Sequence, residues 1–146
     1  MSKKLAQLLV PAEADYVEVF QNLARLHVEM QRQGATAARL AHVAVLELQM
    51  GHLAEAQAAA QLAVRRDRKD AEAHFALART QVAEAIQLAA KTRPVGVREA
   101  LEGATDQLRE VLKLNPADEE AGQQLAMLDT LLKTHPDAAT LASSLN

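Results

Sequence analysis

The sequence has no cysteine and no tryptophan, and Tyr16, Phe20 and Phe75 are its only aromatic residues in 146 positions. Without cysteine there are no disulfides, thiolate metal ligands or thiol nucleophiles, a composition that suits a reducing compartment. So few aromatics argue against a sheet-based interior, which draws on aromatic and β-branched side chains. Apolar residues still make up 49% of the chain. An interior built mainly from Ala and Leu suits closely approaching helices, so the expected class is all-α.

A large excess of charge of one sign is also missing. The formal net charge of −3 gives no general pull toward nucleic-acid phosphates or anionic membranes. No window approaches the roughly 18 apolar residues of a membrane span. The opening "MSKKLAQLLVPAEAD" holds two lysines and an apolar run too short and too polar for a secretion signal. The expectation is a cytoplasmic protein that neither binds nucleic acid nor inserts into a membrane. No Gly- or Ser-rich linker divides the chain, so residues 1–146 are read as one domain, long enough to bury on the order of 70% of its unfolded surface.

What is present is helical periodicity with clear punctuation. Ser2 to Val10 could form a short helix before Pro11. From Ala12 to about Gln33, Tyr16, Phe20, Leu23, Ala24 and Val28 follow three-and-four spacing, and Gly34 closes the run. Ala37 to Met50 and Leu53 to Arg66 predict two antiparallel helices joined at Gly51. Asp70 caps a helix from Ala71 to about Lys91, which the "TRPVG" of 92–96 stops because Pro94 excludes helical geometry before it. Val97 to Leu114 returns, Asn115 and Pro116 end it, and Asp118 caps a helix from Glu119 to Thr134. The final "DAATLASSLN" is a short helix or a tail. About six to seven helices are expected.

Two stretches echo each other. "RDRKDAEA" at 66–73 and "LNPADEEA" at 114–121 each close an apolar run, place an Asp, and open another amphipathic segment. They lie 48 residues apart, whereas helix-pair repeats recur about every 34 residues. The excess of 14 is two heptads, and it falls around Ala85 to Arg98. One heptad added to each helix lengthens each by roughly 10 Å while keeping the facing stripes in phase. Val97, Leu101, Ala104, Leu108 and Val111 alternate steps of four and three, and His74, Ala78, Gln81, Ala85 and Leu88 do the same, which predicts an antiparallel, coiled-coil-like seam.

Aligned as one 34-residue unit, Ala37 to Asp70 places Leu40, Val43, Ala44, Gly51, Ala56, Ala60 and Ala63 where tetratricopeptide repeats carry large, Leu, small, turn, Ala, apolar and Ala residues. His74, Leu77, Ala78, Ala104, Leu108, Val111 and Pro116 fit a second unit, and Leu125 and Ala126 a third. Residues 37 to 135 thus resemble that family. They depart from its pattern at Glu47 and Gln81, where it prefers Tyr, at Arg68, where it prefers Pro, and at Gly122, where it prefers an aromatic. The resemblance implies a short right-handed α-solenoid, with 1–34 as N-terminal helices, 37–70 as repeat 1, 71–118 as an extended repeat 2, and 119–146 as a partial repeat or cap.

In that family the first helix of each pair lines a concave groove. The carried-over positions are Ala38, Ala41, Val45, Leu48 and Gln49, then Glu72, Phe75, Arg79, Val82 and Ala83, with Ile86 and Ala89 continuing the stripe. Of the Lys, Asn and Arg set with which some members hold a terminal carboxylate, only Arg79 is present. The implied occupant is instead an amphipathic helix or apolar segment of another protein. Ala41, Val45, Leu48, Phe75, Val82 and Ile86 would supply the contact surface and Arg79 the orientation. The first helix or last ten residues of the chain itself are alternative occupants.

Signs of chemistry are few. His27, His42, His52, His74 and His135 include no i, i+4 pair and no HExxH, so neither metal nor cofactor is expected. Hydroxyl residues lack a paired base, and the acids at Glu119 and Glu120 suit a helix N-terminus. Arg65, Arg66, Arg68 and Lys69 read as a helix end in solvent, and Lys91, Arg93 and Arg98 as a projecting turn that a partner could touch. The expected function is therefore a non-catalytic adaptor or scaffold. The alternative is a self-assembling subunit that uses an apolar face around Leu125, Leu128, Leu131 and Leu132.

Overall fold

The computed structural model describes residues 15–91 and 94–146. The short helix expected over Ser2 to Val10, and Arg93 of the projecting turn, lie outside the described residues. Within them the chain is all-α, with seven helices and no strand: α1 (Tyr16–Gln33), α2 (Ala37–Gln49), α3 (Leu53–Arg66), α4 (Ala71–Ala89), α5 (Val97–Leu114), α6 (Glu119–Thr134) and α7 (Ala138–Leu145). No helix among the described residues is long and apolar enough to cross a membrane.

Local chemistry accounts for the boundaries. Five helices begin at a side-chain cap, with Asp15, Thr36, Asp70, Asp118 and Asp137 accepting backbone N–H groups of the first turn. Gly51 and Gly96 take left-handed φ values of 79° and 88°, one reversing the chain between α2 and α3, the other leading into α5.

Consecutive helices pair, α2 with α3 and α4 with α5, while α7 packs on α4 and α5 rather than on α6. α4 also contacts both members of the preceding pair, and α6 packs on α5. Alanine allows the close approach: Ala44, Ala56, Ala60, Ala63 and Ala73 are fully buried. Val19, Leu23 and Leu26 of α1 meet Val43 and Leu46 of α2 in one apolar cluster, and Leu40, Ala60, Ala63, Ala76 and Leu77 form a second. The largest core runs along α4 and α5 into α6 and α7.

The seam between α4 and α5 follows its predicted pattern. Val97, Leu101, Ala104, Leu108 and Val111 are all buried. His74 meets Gln107, a Cβ on Gly103 would meet Gln81, and one on Gly96 would meet Leu88, so one index falls as the other rises, as antiparallel helices require. The extension differs from two whole heptads. α4 has 19 residues against 13 in α2, and α5 has 18 against 14 in α3. Six and four of the 14 extra residues therefore lengthen helices, by about 9 and 6 Å, and the other four enlarge the connection at 90–96. Pro94 and the left-handed Gly96 take up this remainder, because neither continues a helix at that point.

The extension is where α7 sits. Leu141 and Leu145 are fully buried in the same apolar cluster as Val82, Ala85, Ala89, Val97 and Leu101. The Asn146 side-chain amide donates to the Ala89 carbonyl at 3.1 Å. The "DAATLASSLN" segment is thus a docked helix.

Candidate protein-interaction groove

α2 and α4 run side by side, and the connection between α5 and α6 brings the start of α6 beside them. Between these elements lies an open cavity of about 410 Å³, lined by Ala41, His42, Val45, Ala71, Glu72, Phe75, Ala76, Arg79, Asn115, Asp118 and Glu120. Its floor is apolar, with Val45 and Phe75 half-buried. The Arg79 guanidinium lies over the Phe75 ring, 4.5 Å from its centroid, a cation–π contact. Arg79 Nη2 also donates to Glu120 Oε1 at 3.3 Å, and the same oxygen accepts from Gln124 at 3.2 Å. Asp118 Oδ1 accepts the Ala121 N–H as the cap of α6.

Four of the seven residues expected to meet a partner therefore come together: Ala41, Val45, Phe75 and Arg79. Leu48 is half-buried farther along α2 and does not line the cavity. Val82 does not belong to an open stripe. It is 1% exposed in the main core, and Ile86 packs against that core. The physical reason is α7, whose Leu141 and Leu145 fill the apolar face of the extension. Arg79 lines the cavity tied to Glu120 and stacked on Phe75, with its Nε buried and without a hydrogen-bond partner.

Two further expectations are revised. The apolar face proposed for self-assembly is covered: Leu128 is fully buried, and Leu125, Leu131 and Leu132 pack against the main core. At the projecting turn, Lys91 and Val95 are exposed, but Arg98 turns away from it. Its Nη2 donates to the carbonyls of His135 at 2.8 Å, Pro136 at 3.1 Å and Leu132 at 3.4 Å, closing the C-terminal end of α6. Arg65, Arg66, Arg68 and Lys69 are all exposed.

The departures from the repeat pattern have local explanations at two positions. Glu47, buried near the end of α2, has Oε2 2.7 Å from His52 Nδ1 across the Gly51 turn. Gln81 stands against Gly103, whose missing side chain leaves the space it occupies. Buried His74 ties the α3–α4 connection to α5: Nε2 contacts the Arg68 carbonyl at 2.8 Å and Nδ1 contacts the Gln107 side chain at 2.6 Å.

The contribution of α6 to the cavity, through Asp118 and Glu120, was not among the expected site residues. Their sequence signal was that of a helix start, which says nothing about which neighbour the start lies beside. Among the described residues no group of three or more His, Asp or Glu side chains is placed to hold a metal ion. No protein-family model matches the chain, and no curated protein matches it in sequence.

Proposed function

We propose that this protein is a non-catalytic adaptor of tetratricopeptide-repeat type that receives a segment of another protein in the groove between α2, α4 and the start of α6, acting as a scaffold in the cytoplasm. The observation that carries the reading is the open cavity with an apolar floor at Ala41, Val45 and Phe75, on the face where the repeat resemblance puts a partner. Polypeptide segments commonly bind by laying apolar anchors into such a groove, with polar contacts at its rim. A cavity of about 410 Å³ between α2, α4 and the start of α6 suits a few side chains rather than a whole domain.

The test is affinity capture from the source cell with the parent protein, Phe75→Ala and Val45→Asp, each first checked for a parent-like circular-dichroism spectrum and melting transition. Partners retained by the parent and lost by both variants support the groove. Partners held equally by all three proteins rule it out.

A second reading, self-assembly, is favoured by a different surface from the one the sequence suggested. Tyr16, Val17, Phe20 and Val28 of α1 are 62, 65, 61 and 46% exposed beside the buried stripe of Val19, Leu23 and Leu26. A second copy pairing through these exposed residues would be seen as a dimer by light scattering and would dissociate in Phe20→Glu. A monomer at all concentrations eliminates this alternative.

A further inference from the structure

We infer that the segment received by the groove is cationic: an apolar side chain seated between Val45 and Phe75, with lysine or arginine beside it reaching toward Glu72 and the Asp118 and Glu120 rim. This inference rests on the groove reading above and specifies the chemistry of the partner. Three carboxylates line the cavity against one guanidinium. That guanidinium is already engaged, over Phe75 on one side and on Glu120 on the other. Glu72 lies exposed in the first turn of α4 and makes no ion pair among the described residues.

The alternatives are less compatible with these contacts. An anionic segment would have to take Arg79 from Glu120 and then lie beside Glu72 and Asp118, where like charges repel. A neutral apolar segment would displace water from Glu72, which has no ion pair among the described residues, without replacing it, and this costs free energy. A basic segment gains attraction at the rim without breaking any contact the protein makes. Carboxylates around a low-dielectric concave surface also focus the field outward, which raises the encounter rate of a positive partner. The helix N-termini of α4 and α6 account for the acids being at these positions, and all three line the cavity, Glu72 and Glu120 exposed and Asp118 half-buried. The tail helix sets the boundary of the site: because α7 covers Val82 and Ala89, the contact is confined to the lower groove, where the carboxylates are.

The test uses two synthetic peptides with the same amphipathic leucine pattern, one with lysine and one with glutamate at every polar position, titrated against the full chain by fluorescence anisotropy. The lysine peptide is expected to bind about tenfold or more tightly than the glutamate peptide, with the preference shrinking as salt rises from about 0.05 to about 0.5 M. Glu72→Lys, which leaves the Arg79–Glu120 pair intact, should narrow or reverse the preference. Phe75→Ala should weaken both peptides.

Equal affinity for the two peptides, or a preference for glutamate, overturns the charge inference and leaves the groove reading standing. Failure of both peptides to bind overturns the groove reading itself. Lysine-peptide binding that persists unchanged in both folded Val45→Asp and Phe75→Ala lies elsewhere on the surface and overturns both.

Discussion

Arg98 Nη2 lies 2.8 Å from the carbonyl oxygen of His135, so the first turn of α5 holds the last turn of α6. The same nitrogen reaches Leu132 and Pro136, carbonyls that no longer have helical partners of their own. A cation at this end of α6 also complements the helix dipole. α7 begins immediately afterwards, so its position depends on this junction.

Replacing Arg98 with Ala keeps a strong helix former in α5 but removes the donor. The Arg98 side chain is 31% exposed, and water can reach part of the junction, so the expected loss is about 1 kcal/mol rather than the upper range for charged donors. Hydrogen exchange should quicken in α7 more than in α2 or α3. Lysine should recover only part of the stability, because it lacks the planar fork. Equal exchange in α7 of parent and variant would contradict the junction's role.

Gly103 tests the α4–α5 seam. A Cβ there would stand 2.8 Å from Gln81 Nε2 and 3.2 Å from its Cδ. Alanine in place of an interior helical glycine contributes about 1 kcal/mol of stability by propensity alone, but the Gln81 amide must move, and its Oε1 is already buried without a partner. Gly103→Ala alone should therefore fall within about 0.5 kcal/mol of the parent, whereas in a Gln81→Ala background it should stabilise by about 1 kcal/mol. A urea-denaturation double-mutant cycle measures the coupling. Additive effects would show that the two positions do not compete for space.

How this seam was legible, and the groove rim was not, follows from the range of the interactions. The steps from Val97 to Val111 and from His74 to Leu88 are recorded within single helices, so the sequence specifies their facing stripes. Asp118 could likewise be recognised as a cap, because capping is local. That Glu120 would pair with Arg79 depends on how the α5–α6 connection turns, which no periodicity records. The last ten residues were legible as an alternative occupant of the groove stripe, and α7 does cover its Val82–Ala89 part; which part they would cover was not, because Asn146 and Ala89 meet across 57 residues of chain and a segment of this length carries too few apolar positions to declare its partner. The extra length of the α4–α5 pair was visible, but its division between helices and turn depended on Pro94 and Gly96, not on heptads.

Asp137 provides a pH prediction. The Thr140 backbone N–H, 2.8 Å from Oδ1, is the main cause holding its carboxyl below the ordinary value of 3.8, with further help from the Thr140 side chain, the Ala139 N–H and the charge of His135. A carboxyl depressed on folding stabilises the folded form above its unfolded pKa and loses that contribution as pH falls through the lower folded value. The cap of α7 should therefore weaken below about pH 4. Nuclear magnetic resonance of the Thr140 amide follows the change, and Asp137→Asn, which keeps an accepting oxygen, should remove this titration while retaining a cap. An unchanged amide titration in Asp137→Asn would assign the effect to another group.

Leu141 decides whether α7 is part of the core or merely rests on it. It is fully buried, in the cluster that contains Val82, Ala89 and Leu101. A leucine so placed, truncated to alanine, costs about 2–5 kcal/mol when the cavity cannot collapse. Because α7 is short and lies at the end of the described fold, it can instead detach, which limits the loss toward the lower end of that range and leaves α4 uncovered. Leu141→Ala should thus lower the urea midpoint, and Leu141→Asp should release α7, speeding amide exchange along 138–146 and increasing binding of a hydrophobic dye to the bared Val82–Ala89 face, with α2 and α3 retaining parent-like protection. If Leu141→Asp stays as stable as the parent and takes up no more dye, α7 does not close the upper groove. The boundary that confines a partner to Ala41, Val45, Phe75 and Arg79 would then have to be redrawn to include Val82 and Ile86.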